Sequence, residues 1–185
     1  WLAASTREGE EALVLEAWRR IAASRALLVL VPRHPQRFAE VAALLTRLGI
    51  DFVRRSDRLP GPETPVWLGD SMGEMAAYYS LADIAFIGGS LLPLGGQNLI
   101  EAAACGCPVV VGPHTFNFQQ ATADAIAAGA ALRVPDAEAL VGTVCRALGD
   151  ASELGKMRAA ATGFAASHRG AGARTLALIR SAITG

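Results

Sequence analysis

Several short segments combine residue types that could do chemistry. In Pro32-Arg33-His34-Pro35 an arginine is held between prolines. Its planar donor fork matches a phosphate or carboxylate in bidentate fashion, the alternative being a bond to a carbonyl or a surface carboxylate. Further on, Gly88-Gly89-Ser90 leads through a Gly-rich loop to Gly95-Gly96-Gln97-Asn98-Leu99-Ile100-Glu101. Glycines let a backbone approach a ligand and take left-handed angles. Asn98 is a good N-cap, and the helix it starts offers free amides and a positive dipole end to an anion. Glu101 follows one turn later among apolar residues expected to be buried, where a carboxylate needs partners. The vicinal hydroxyls of a ribose would supply two donors. Phosphate at the helix start and ribose at the carboxylate describe a nucleotide site. The structural alternative is a Gly-rich turn with a capping Asn and a Glu bonded to backbone amides.

Other segments are weaker. In Gly69-Asp70-Ser71-Met72-Gly73-Glu74, Asp70 or Ser71 can cap a helix, with Glu74 placed as in a capping box. On the functional reading, backbone groups around Met72 and Gly73 read the edge of a base while the Met side chain packs on its face. Thr6, in Ser5-Thr6-Arg7-Glu8-Gly9, either caps a helix or touches ligand, and His114 offers a donor or acid toward a substrate. Arg54, Arg55 and Arg58 form a basic cluster, read as a solvated surface in preference to an anion site. Cys105, Cys107 and Cys145 are odd in number, and the first pair is not Cys-x-x-Cys. They read as small apolar residues in a reducing compartment, with no metal site. Neither Gly-x-Gly-x-x-Gly nor a P-loop occurs, which disfavours dinucleotide and P-loop chemistry.

The elements that must position these loops alternate along the chain. Strands are expected at residues 1–5, 25–31, 51–54, 66–68, 84–87, 108–111 and 131–134. Residues 25–31 form a continuous apolar run, typical of a strand buried on both faces, which Pro32 and Pro35 should end. Helices are expected at 8–23, with Val14, Trp18 and Ile21 on one face, and around Phe38, Val41, Leu45 and Leu48, with Gly49 as its stop. Others follow Gly73, Asn98 and Phe118, and from about 136 to 185 the chain reads as helical pieces broken near Gly155, Gly163 and Gly170-Ala171-Gly172. The last piece has a stripe of Leu176, Ile179 and Ile183. This pattern predicts an α/β doubly wound parallel sheet, Rossmann-like, in a single domain spanning 1–185. Ligands of such sheets sit beyond the carboxyl ends of the strands, where these loops lie.

Composition narrows the function classes. With 17 basic and 17 acidic residues among 185, the chain lacks the basic footprint of a nucleic-acid binder. The strongly apolar run at 26–31 is far short of the roughly 20 residues of a membrane span. The sequence opens at Trp1 inside an expected strand, which suggests a piece of a longer protein.

Taken together, these stretches resemble the C-terminal half of the 3-deoxy-D-manno-octulosonic acid (Kdo) transferases, glycosyltransferases of lipopolysaccharide synthesis with two Rossmann-like domains in the GT-B arrangement. The resemblance rests on Trp1-Leu2-Ala3-Ala4-Ser5-Thr6 with Gly9-Glu10-Glu11, Leu30-Val31-Pro32-Arg33-His34-Pro35, Phe52-Val53-Arg54-Arg55-Ser56 and Gly69-Asp70-Ser71-Met72-Gly73-Glu74. It continues through Gly88-Gly89-Ser90-Leu91, Gly95-Gly96 with Asn98, and Gly112-Pro113-His114-Thr115-Phe116-Asn117-Phe118. It implies that this half binds the donor CMP-Kdo and needs no cofactor. Pro32 and Arg33 would contact the phosphate; Met72, Gly73 and Glu74 would lie at the cytidine; Asn98 and Glu101 would lie at the phosphate and ribose. Gly95 and Gly96 would shape the loop, with Thr6, Ser90, Gln97 and His114 as further contacts. The resemblance further implies an N-terminal half carrying the catalytic carboxylate base, the lipid A precursor site and a membrane-associated surface at the cytoplasmic face of the bacterial inner membrane. Transfer would be inverting and metal-free, and this fragment alone inactive. The family usually has His where Arg7 and Gln97 stand here, and often Pro at Ala102. Gln97 can donate a hydrogen bond but cannot serve as an acid. A UDP-sugar transferase or epimerase of the same architecture, and a degenerate binding domain, are the alternatives.

Overall fold

The computed structural model describes residues 1–21 and 26–168. Seven strands, β1 (Leu2–Thr6), β2 (Leu28–Pro32), β3 (Phe52–Arg54), β4 (Val66–Leu68), β5 (Ala85–Ile87), β6 (Val109–Val111) and β7 (Ala131–Arg133), form one sheet in the order β3-β4-β2-β1-β5-β6-β7. Every pairing is parallel. The connecting helices are α1 (Glu10–Ile21), α2 (Phe38–Arg47), α3 (Met75–Leu81), α4 (Ile100–Ala104), α5 (Gln119–Ala127), α6 (Ala137–Leu148) and α7 (Ala151–His168).

Alternation along the central strands feeds two cores. Ala3, Leu28, Leu30, Leu68, Phe86 and Val110 pack with Val14, Leu15 and Trp18 of α1, Val41 and Leu45 of α2, and Leu140 and Val144 of α6. On the opposite face Leu2, Ala4, Val31, Trp67, Ile87, Val109 and Val111 pack with Tyr78 and Tyr79 of α3, Ala102 and Ala103 of α4, Ala125 of α5, and Phe164 and Ala165 of α7. Strands buried on both faces need apolar residues at every position, which is why these strands read as unbroken runs.

Three expectations change. The second strand ends one residue later than expected: Pro32 is the last residue of β2 rather than the first beyond it, and the 3-10 turn Pro35–Arg37 follows. Gly155 and Gly163 do not break the C-terminal region, because α7 runs through both. A Gly inside a helix costs only about 1 kcal/mol relative to Ala, less than α7 gains by burying Leu154, Met157, Ala161, Phe164 and Ala165. The first helix begins at Glu10 rather than 8, and its expected end at 22–23, like the Ile21 side chain, Gly170-Ala171-Gly172 and the stripe of Leu176, Ile179 and Ile183, lies outside the described residues. Gly49 ends α2 in the left-handed conformation, as expected (φ 64°).

Candidate functional site

β1 has β2 on one side and β5 on the other, so the winding reverses between β1 and β5. The crevice predicted for a ligand therefore lies at the carboxyl ends of these strands. Here the chain folds tightly. Ser5 takes a left-handed conformation (φ 53°) at an irregularity in the β1–β2 register. Against it sits Gly88, where a Cβ would come within 2.4 Å of the Ser5 carbonyl oxygen. Gly112 is similarly pressed on the Ser90 carbonyl at 2.2 Å, and a Cβ on Gly95 would meet Asn117 Nδ2 at 2.2 Å. At Gly88, Gly95 and Gly112 the close approach is to main chain and side chains of the protein itself, while Gly89, Gly95 and Gly96 take the left-handed angles expected of this stretch.

The acids at the start of α1 hold this corner together. Glu10 is fully buried, and its Oε2 accepts from the amides of Arg7 (2.9 Å) and Gly89 (2.6 Å). Its Oε1 accepts from the Leu91 amide at 3.0 Å. Glu11, also fully buried, accepts from Thr6 Oγ1 at 3.0 Å and pairs with Arg37 at 3.1 Å. Burial pushes the Glu11 carboxyl up, against the opposing pull of its own backbone amide, Arg37 and Thr6. Thr6 donates to Glu11 and is sealed from solvent; the bonds between Arg7 and Glu10 close the turn that leads into α1. Ser90 is sealed as well, donating to the Ile87 carbonyl and accepting from the Gly112 amide. Neither hydroxyl reaches the crevice. The acids were missed in the sequence although a signal existed: positions 10, 11, 14, 15 and 18 share the buried face of α1.

Arg33 follows β2, its amide bonded to the Thr6 carbonyl at 2.9 Å. The side chain is exposed, and its guanidinium makes no hydrogen bond or ion pair with the described residues. After β5, Asn98 Oδ1 accepts from the amide of Ile100, the first residue of α4, at 3.0 Å, although the N-cap position itself falls on Leu99 rather than on Asn98. Its Nδ2 donates to Glu101 Oε1 at 3.1 Å. Glu101 is exposed, because only Leu99, Ala102 and Ala103 of its segment turn into the core. With just five residues, α4 carries a short dipole, so attraction for an anion falls mainly to Arg33. Tyr79 of α3 is buried. Its phenol is pushed well above the ordinary range, first by burial and then by the Glu101 carboxylate, while Arg33 works against the rise. Arg33, which follows β2, and Glu101, in the first turn of α4 after β5, both come after the carboxyl ends of parallel strands.

Between β4 and α3, Gly73 turns with φ 80° and Met72 is exposed. The loop is tied to the end of β3: Asp70 accepts from the Ser56 amide (2.9 Å) and hydroxyl (2.7 Å), and Arg55 pairs with Glu74 at 2.9 Å. The Ser71 hydroxyl donates to the other Glu74 oxygen and meets the Tyr78 hydroxyl at 3.2 Å. Ser71 and then Arg55 hold the Glu74 carboxyl below the usual carboxylate range. The expected capping box is absent, since Glu74 bonds the Ser71 side chain rather than a free amide. Arg54 (3.9 Å from Asp70) and Arg55 pair with acids of this loop while keeping more than a third of their side chains exposed, and Arg58 is exposed. Gly96 bonds the Gly89 carbonyl through its amide, and Gln97 Nε2 lies 3.3 Å from where a Gly89 Cβ would stand. His114 is half-buried, anchored by its amide to the Ser90 carbonyl. All three cysteines are free; Cys107 is buried, and burial raises its thiol to about 12.

The C-terminal CMP-Kdo binding domain of WaaA from Acinetobacter baumannii superposes on 88% of this chain and 86% of its own length, with a TM-score of 0.83 and 36% identity. This chain belongs to the 3-deoxy-D-manno-octulosonic acid transferase family. Within that family, the transferase of Bordetella pertussis is 52% identical over 180 residues, 94% of this chain and 42% of the relative. That of Haemophilus influenzae is 50% identical over 123 residues, 65% of this chain and 29% of the relative. The chain thus spans less than half the length of these family members. A glycosyltransferase from Rickettsia africae, 16% identical with a TM-score of 0.66 over 90% of this chain and 42% of its own, shares the fold. No protein-family model matches the sequence.

Proposed function

We propose that this chain is the donor-binding half of a GT-B transferase that moves Kdo from CMP-Kdo to a lipid A precursor. An N-terminal half would supply the catalytic base and the acceptor surface. The observation that carries this reading is Arg33: an exposed guanidinium without a hydrogen-bond or ion-pair partner among the described residues, just beyond the carboxyl end of a buried strand. In this family's fold such a group suits the phosphate of a cytidine monophosphate. The negative charge that grows on departing CMP would be stabilised there without reorganisation. Pro32 fixes the strand end from which Arg33 projects.

Cytidine would lie against the loop of Met72, Gly73 and Glu74. Both Glu74 oxygens are already engaged, by Arg55 and Ser71, so main-chain groups and the exposed Met72 thioether are left to meet the base. Glu101 uses Oε1 for Asn98, which leaves Oε2 to accept a ribose hydroxyl. Gly95, Gly96, Gln97 and His114 would form the rim nearest the transferred sugar. The whole protein would work at the cytoplasmic face of the inner membrane, with the N-terminal half touching the bilayer; no helix among the described residues is long and apolar enough to cross one.

Calorimetric titration of the chain with CMP and UMP tests the reading. CMP is expected to bind more tightly, and Arg33→Ala to weaken it at least tenfold, in line with the roughly 1.5–3 kcal/mol of a charged hydrogen bond. Tighter binding of UMP, or unchanged CMP affinity in Arg33→Ala, would overturn it.

A further inference from the structure

We infer that Glu10 is a positioning residue for the phosphate side of the donor site, an inference that rests on the function proposed above. A turn rich in glycine, with amides converging at the end of a strand, normally receives an anion from outside. Here the anion is internal. The Glu10 carboxylate occupies the Gly89 and Leu91 amides at 2.6 and 3.0 Å and the Arg7 amide at 2.9 Å. It is fully buried, and the bonds span 79 and 81 positions of sequence. One carboxylate thus joins the β1–α1 corner to the β5–α4 loop across the reversal of the winding.

Each half of that joint carries one side of the proposed site. On the β1 side, the Thr6 carbonyl holds the Arg33 amide at 2.9 Å. On the β5 side, Gly89 holds Gly96 through its carbonyl at 2.7 Å, and Gly96 is followed by Gln97 and Asn98. Glu10 therefore sets the separation of Arg33 from Asn98 without touching the donor. Its occupancy also bars the donor phosphate from the Gly89 and Leu91 amides. The cytidine side is tied independently, by Asp70 to Ser56 and Glu74 to Arg55.

This division makes the inference testable. Glutamine in place of Glu10 keeps the shape but turns an amide NH2 toward at least one of three donors. Affinities of CMP and of cytidine would be measured by calorimetry on wild-type chain and Glu10→Gln, with circular dichroism to establish the folded fraction. We expect the preference for CMP over cytidine to drop at least tenfold in Glu10→Gln while cytidine affinity, corrected for folded protein, changes less than twofold. A merely structural acid would lower the folded fraction and leave the preference unchanged, which would overturn the inference. Glu10→Asp, which keeps the charge and shortens the reach, serves if Glu10→Gln does not fold; failure of both to fold would assign Glu10 to folding alone and also overturn it. Wild-type chain that binds neither CMP nor cytidine would instead overturn the proposed function.

Discussion

Individual residues divide here by what their immediate surroundings demand. Arg33 was recognisable in the sequence because prolines on either side of the Arg-His pair and an apolar strand before it leave a planar cation at a strand end. Glu101 was recognised as a site candidate for the wrong reason: neighbouring residues are buried, but its own position on α4 faces out. The glycines show the same limit, since their spacing says that backbone must approach something but not what approaches. Gly88→Ala is expected to cost about 3 kcal/mol, the upper end for overpacking, because its Cβ would stand 2.4 Å from a backbone oxygen that cannot swing away. Gly155→Ala, with open space and a helical backbone, should instead stabilise the chain by about 1 kcal/mol. Urea denaturation of the two variants checks both signs.

At the level of elements, periodicity identified each strand and most helices within a few residues, because burial on both faces leaves a continuous apolar trace. Where the reading of α7 failed, a local rule about glycine was outweighed by the apolar stripe packed on α4. The loop from Gly69 to Glu74 failed differently: its partners sit at the end of β3, more than a dozen residues earlier, so no local pattern encodes them. Its pH behaviour follows from Glu74. A carboxyl held below its unfolded value adds stability that is present above about pH 4.5 and is lost as pH falls through the depressed folded value. Glu11 works in the opposite direction, its contribution being lost as pH rises through a raised value. Comparing wild type with Glu74→Gln isolates the first effect: the stability advantage of wild type at pH 6 should shrink steadily below pH 4.5 in denaturation series. A constant difference down to pH 3 would contradict the assignment.

On the scale of the whole molecule, the order β3-β4-β2-β1-β5-β6-β7 brings loops from distant parts of the chain to one edge. Arg33, the 69–74 loop and Asn98 with Glu101 all follow strands of that parallel sheet, although about seventy positions separate the first from the last. Glu10 ties the β1–α1 corner to the β5–α4 loop, and Glu11 ties Thr6 to Arg37. Since the base is expected on a half outside this chain, the 185 residues given CMP-Kdo and a lipid A precursor should yield no transfer product. Product formation by this chain, followed by mass spectrometry of the lipid, would move the base into it. Sequence alone determined the alternation of strand and helix, the doubly wound class and the set of strand-end loops worth weighing, because burial and backbone chemistry act over neighbouring positions. Only the folded chain decided that the Gly-rich turn is filled by Glu10, that Glu101 faces solvent and that Arg55 belongs to Glu74. Those outcomes depend on which distant groups reach each other once the sheet is assembled, and short-range patterns carry no record of that.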